Sequence, residues 1–131
     1  MKLQINVAIQ IQKPAAEVYE AIVNPSHMSQ YFISKSSGIM EEGKSLIWNF
    51  PEFEGDTLIR VGKIILNAQI TFYWDTDNIE QEVEIKLEQK TDGSTIVRIT
   101  EKEMDNDAAG IAWLKGNTEG WANFLACLKA Y

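Results

Sequence analysis

A chain of 131 residues, 45% apolar and 24% charged, has the size and composition of one globular domain, which excludes a disordered or fibrous chain. Twelve Lys and Arg against nineteen Asp and Glu leave a net charge of −7, which argues against a nucleic-acid binder, because such proteins neutralise phosphates with clustered cations. One Cys and one His exclude an internal disulfide and a Cys/His zinc site, and they force any Ser-His-Asp or Cys-His chemistry through His27.

The N-terminus alternates polar and apolar residues from Lys2 onward, unlike the unbroken apolar stretch of an export signal. No apolar run approaches the roughly 20 residues that span a bilayer. The expectation is a soluble cytoplasmic protein without a membrane span, and the lone Cys127 agrees with a reducing compartment.

Leu3, Ile5, Val7, Ile9 and Ile11 recur at period two and predict a first strand with one buried face. Lys13-Pro14 stops it, and residues 14–22 read as a helix with Pro in its first turn and Val18, Tyr19 and Ile22 on its buried side. After Asn24-Pro25, residues 26–31 predict a second short helix, with Met28, Tyr31 and Phe32 turned inward. From Lys35 to Thr100 no helical period persists. Strands are expected at 46–50, 57–66, 69–74, 80–88 and 94–101, with turns at 42–44, 51–56, 67–68, 75–78 and 91–93, where Asp92-Gly93 favours a tight hairpin. Asp105-Asn106-Asp107 then predicts a cap, and residues 108–129 a long helix. Ile111, Leu114, Thr118, Trp121, Leu125 and Leu128 form its apolar stripe, flanked by Phe124. Gly110, Gly116 and Gly120 each cost a helix about 1 kcal/mol, so they call for a close approach or a bend.

This order, one strand, two short helices, an antiparallel meander and a long C-terminal helix, is that of the helix-grip α+β fold. Pro14-Ala15-Ala16-Glu17-Val18-Tyr19-Glu20-Ala21-Ile22-Val23-Asn24-Pro25 resembles the opening helix of START-like (SRPBCC) domains, and Ser94-Thr95-Ile96-Val97-Arg98-Ile99-Thr100-Glu101 resembles their last strand. Gly120-Trp121-Ala122-Asn123-Phe124-Leu125-Ala126-Cys127-Leu128 is similar to the last helix of the activator of Hsp90 ATPase homologue-like branch, with the Gly-Trp pair its most diagnostic piece. Tyr31-Phe32 departs from the Trp expected in many relatives, one aromatic for another. The resemblance implies a single START-like domain over residues 1–131. In it a curved sheet of about six strands would wrap the long helix, in many members around an apolar cavity. It does not fix a function: relatives include lipid and hormone carriers, polyketide cyclases, domains joined to a co-chaperone, and small bacterial proteins with no assigned role.

Within that frame, strand parity places Leu46, Trp48 and Phe50, then Leu58, Arg60, Gly62, Ile64 and Leu66, then Ile70, Phe72 and Trp74 on the inner side, facing Leu114, Thr118, Trp121 and Leu125. The candidate ligand-binding residues are therefore Trp48, Phe50, Arg60, Ile64, Phe72, Trp74, Leu114, Thr118, Trp121 and Leu125. Ordinary close-packed core is the alternative. Arg60 is the one full charge on that parity and needs a partner: a ligand carboxylate, a protein carboxylate, or solvent at the cavity mouth, unless a bulge flips it outward.

His27, between the short helices, reads as a surface residue. Asp105, Asp107 and Gly110 begin like a calcium loop, but Ala109 and Gly116 stand where it needs oxygen ligands, so neither metal nor cofactor is expected. Asp75 and Asp77 fit a turn. Glu80, Glu82, Glu84 and Glu88 share a face with Lys86, opposite Val83, Ile85 and Leu87; this is a solvated outer face or a docking surface for a basic partner. Three functions remain: a non-enzymatic module binding a small apolar or amphipathic ligand; a protein-interaction module acting on an Hsp90-type chaperone; and a cyclase- or hydrolase-type enzyme using Tyr, carboxylate or Arg chemistry. The first is favoured by the aromatic inward parity and by the cavity that the resemblance implies, and no catalytic constellation is visible to support the third.

Overall fold

The period-two pattern at the N-terminus forms β1 (Lys2–Ile11), with Ile5 and Ile11 buried, in a computed structural model that describes residues 2–52, 54–76 and 78–131. Pro14 holds the extended conformation that opens α1 (Ala15–Val23), and the Asn24 side chain accepts from the Ser26 N–H to cap α2 (Pro25–Met28). There follow β2 (Lys35–Ser36), β3 (Ser45–Asn49), β4 (Thr57–Ile65), β5 (Gln69–Thr76), β6 (Ile79–Gln89), β7 (Thr95–Asp105) and α3 (Ala108–Ala130).

All neighbouring strands are antiparallel in a seven-stranded sheet of order β1-β7-β6-β5-β4-β3-β2. The two short helices carry the chain from β1 to the far edge, and the meander walks back until β7 pairs with β1. The expected helix-grip fold is the one observed, with the short edge strand β2 added. The turn at 91–93 closes on a Lys90–Ser94 backbone pair with Gly93 at φ 87°, a conformation that glycine adopts without strain. Phe53 and Asp77, in the expected turns at 51–56 and 75–78, lie outside the described residues.

The core lies between the inner face of the sheet and α3. Ile5, Leu46, Trp48, Ile59, Val61, Ile70, Phe72, Val83, Ile85, Val97 and Ile99 supply the sheet side, and Trp121, Phe124, Leu125 and Leu128 the helix side. Burying each such side chain contributes roughly 1.5–3 kcal/mol, so this layer dominates the stability.

Two expectations of facing are corrected. In β4 the buried residues are Ile59 and Val61, while Leu58 is 50% and Leu66 73% exposed, so Leu58, Arg60 and Leu66 do not face the core. The register with β5 shifts between Val61 and Ile64, and this irregularity exchanges the two faces. Ile64 packs against the core beyond it, so counting back from Ile64 as along a regular strand puts Arg60 on the wrong side. In the first turns of α3 the buried residues are Gly110 and Trp113, with Ile111 exposed and Leu114 and Thr118 half-buried. A Cβ at Gly110 would lie 1.8 Å from the Asp105 carbonyl oxygen, so close approach explains this glycine and seats the start of the helix. Among the described residues no helix is long and apolar enough to cross a membrane.

Candidate functional site

Along β7, Thr95, Val97, Ile99 and Glu101 share the inward parity, and all four are buried. The strand therefore drives a carboxylate into the interior, where Glu101 is fully buried. Burial of such a group is tolerable only with hydrogen-bond partners. Glu101 has three: the Trp121 indole N–H donates to Oε1 at 2.7 Å, the Asn117 amide to Oε1 at 3.1 Å, and the Trp74 indole N–H to Oε2 at 2.7 Å. The donors come from β5 and from successive turns of α3. Trp74 and Trp121 stack with centroids 5.6 Å apart and an interplanar angle of 29°.

Above this anchor lies a cavity of about 350 Å³, open to solvent on one side. Its walls are Tyr31, Phe32, Phe50, Trp74 and Trp121; Thr57, Thr76, Asn117 and Asn123 add polar groups, and Glu52 and Asp75 carry the charges. Gly116 and Gly120 also line it, and a Cβ on either would meet nothing within 4 Å. These two glycines leave space open above the helix, and no close approach requires them. The Tyr31 hydroxyl donates to the Ala21 carbonyl at 2.8 Å, and burial, with Tyr131 and Cys127 nearby, holds its phenol well above the ordinary value.

Of the residues expected to bind ligand, Phe50, Trp74 and Trp121 line the cavity. Phe72 and Trp48 lie behind them in the core, their rings 5.4 Å apart, with Phe72 5.2 Å from Trp74. Leu125 is core, and Ile64 and Leu114 pack against it. Thr118 is half-buried outside the cavity lining. Arg60 is a correction: it lies on the outer side of the sheet, where Nη2 donates to Asp75 Oδ1 and Glu80 Oε2, each at 2.9 Å. The charge on the inner parity is Glu101.

His27 is half-buried, with Nδ1 2.7 Å from the Tyr131 hydroxyl, and lines a smaller cavity beside α1 rather than the aromatic one. Asp107 caps α3 by accepting from the Gly110 N–H at 2.7 Å. Among the described residues no group of three or more His, Cys, Asp or Glu is placed to hold a metal ion. The acidic face of β6 is outward as expected, yet Arg60, Lys86, Lys90 and Arg98 pair with its carboxylates.

The buried Glu101, the tryptophan pair and the cavity over α3 are the setting for comparison with known proteins. A family model described as Activator of Hsp90 ATPase homolog 1-like protein matches residues 12–131. The chain belongs to this family. The crystal structure of SSP2350 from Staphylococcus saprophyticus is 30% identical, with a TM-score of 0.85 over 98% of this chain and 90% of that one. The Aha1 dimer from Colwellia psychrerythraea, 22% identical, has a TM-score of 0.82 over 97% and 93%. DynU16, from the dynemicin biosynthetic locus, is 21% identical with a TM-score of 0.85, over 98% of this chain and 46% of that one. These last two share the fold. No curated protein matches the chain in sequence.

The arrangement sets what Glu101 does. Both its oxygens are engaged and the residue has no exposure, so it does not reach a molecule in the cavity as an acid or base would have to. It is a positioning residue that fixes two indoles and an amide in the cavity wall. From the sequence, β7 parity alone signals its burial; Asn117 carries no apolar signal, and only its spacing of four from Trp113 and from Trp121 marks its face.

Proposed function

We propose that this member of the Activator of Hsp90 ATPase homolog 1-like family acts as one START-like domain that binds a small apolar or amphipathic molecule, without catalysis, in the cavity between sheet and α3. The observation that carries this reading is the cavity itself, of a size found for small-molecule sites and walled by rings that a buried carboxylate holds in place. Gly116 and Gly120 support it, since a helix gives up about 1 kcal/mol for each glycine where alanine would serve. A cytoplasmic, reducing setting fits the unpaired Cys127.

The neutral dye N-phenyl-1-naphthylamine tests the reading through its fluorescence on entering an apolar site. It should bind the native chain, and Gly120→Leu, which fills the cavity from the helix, should weaken binding at least about tenfold with an unchanged or raised melting temperature. Equal binding by native chain and variant, or none by either, would count against the proposal. Family membership favours a second reading, docking on an Hsp90-type chaperone. Failure to raise the ATPase rate of such a chaperone at low salt would set that reading aside.

A further inference from the structure

We infer that the cavity selects a flat aromatic molecule bearing a positive charge, such as an arylmethyl ammonium; this rests on the ligand-binding reading above and adds a charge to it. The indole N–H donors of the wall are already used: both indoles and one N–H of the Asn117 amide donate to Glu101, and the Tyr31 hydroxyl donates to Ala21. What these groups leave for the cavity is chiefly indole π faces, with the carbonyl oxygen and second N–H of Asn117, so no indole N–H is left to meet an anion.

The charges agree. Among the described residues that line the cavity, those with a full charge are Glu52 and Asp75, at the mouth, and none is a cation. Asp75 shares Arg60 with Glu80, so one cation faces two carboxylates, and Glu52 has no ion pair or hydrogen bond among the described residues. Beneath the wall, Glu101 is met by neutral N–H groups, with no cation against it among the described residues. Donating an N–H to an anion also enriches the indole rings in electron density, and Trp is the strongest side-chain partner for a cation over its face. An anionic ligand would meet acidic groups at the mouth and find the indole donors facing away from it.

Three probes with one ring system separate the charge from the shape: naphthalen-2-ylmethanamine, protonated at neutral pH, naphthalen-2-ylmethanol, and 2-naphthoate. In calorimetric titrations at low salt the amine should bind about tenfold tighter than the alcohol, and the carboxylate weakest of the three. Added salt, or Glu52→Gln, should shrink the amine's advantage about threefold. Alcohol and carboxylate affinities equal to that of the amine would overturn the charge selection and leave the ligand-binding reading standing, as would binding of the neutral dye without the amine. Binding of neither the dye nor any naphthyl probe would overturn both.

Discussion

The two faces of the sheet handle charge in opposite ways. On the outer face Arg60 meets Asp75 and Glu80, Lys86 meets Glu84, and Arg98 meets Glu88, each cation beside a carboxylate in water. On the inner face Glu101 has no cation beside it among the described residues and is held by two indoles and an amide. Outer pairs form within a strand or across one or two strands of the sheet and contribute little individually. The donors to Glu101 come from β5 and α3 and converge on β7 only when the helix has closed over the sheet. The inner arrangement is therefore a tertiary lock, and in a low-dielectric interior an unmet donor or acceptor costs more than in water.

The hardest test of that difference removes the carboxylate. Glu101→Leu would leave two indole N–H groups and the Asn117 amide facing an apolar side chain, and should cost about 3 kcal/mol in urea unfolding. Glu101→Gln, which keeps one acceptor oxygen, should cost less. Both should alter the near-ultraviolet circular dichroism of the stacked Trp74–Trp121 pair. An unfolding midpoint for Glu101→Leu equal to the native one would sink the idea of a lock.

Tyr31 sharpens the contrast from the side of the donor. Its folded pKa lies above the unfolded value of about 10, chiefly through burial, so folding favours the neutral phenol. The stability tied to it is fully present below that unfolded value and falls as the pH rises above it. Tyr31→Phe should lose about 1 kcal/mol at neutral pH with the Ala21 hydrogen bond, and decline less steeply than the native chain at alkaline pH. Thermal melts of the two chains from neutral to alkaline pH check this; parallel curves would contradict it.

Gln81 is the inner face's counter-example. It is as buried as Glu101, but its Nε2 donates to the Met104 sulfur at 3.2 Å and its Oε1 has no partner among the described residues. Half-satisfied, it leaves an acceptor uncompensated, whereas both oxygens of Glu101 are met. Gln81→Met keeps the volume and removes the polar atoms, so it should stabilise by roughly 1 kcal/mol, read from the urea midpoint. A loss of similar size would show that the amide is better partnered than its geometry indicates.

Much of the fold was legible because its signals are local. The alternation of β1, Pro14 at the first helix, the turns of the meander and the long last helix each follow from a few adjacent residues. Trp74, Trp121 and Phe50 were legible as wall for the same reason, and Tyr31 and Phe32 as inward-facing. What stayed hidden depends on events between strands. The irregularity after Val61 turned Arg60 outward, and no residue type in β4 announces it. Glu101 sits in step with Val97 and Ile99, but a carboxylate at that position reads as the polar end of a strand until three distant donors are known. Gly116 and Gly120 visibly needed a reason, yet the space they open exists only between helix, sheet and the Tyr31–Phe32 segment.

The smallest expected effect belongs to Arg60, and it discriminates between the two faces most cleanly. Its side chain is 33% exposed, and its partners Asp75 and Glu80 are 53% and 60% exposed, so solvent screens both pairs. Arg60→Ala should cost under about 1 kcal/mol, and the loss should shrink further as salt is added. Had the strand run regularly, the same guanidinium would stand against the aromatic core, and its removal would change stability by several kcal/mol with little dependence on salt. Urea unfolding of the native chain and the variant at low and high salt separates these cases. A large loss that salt does not reduce would place the guanidinium inside, and with it a second charge on the face that Glu101 occupies.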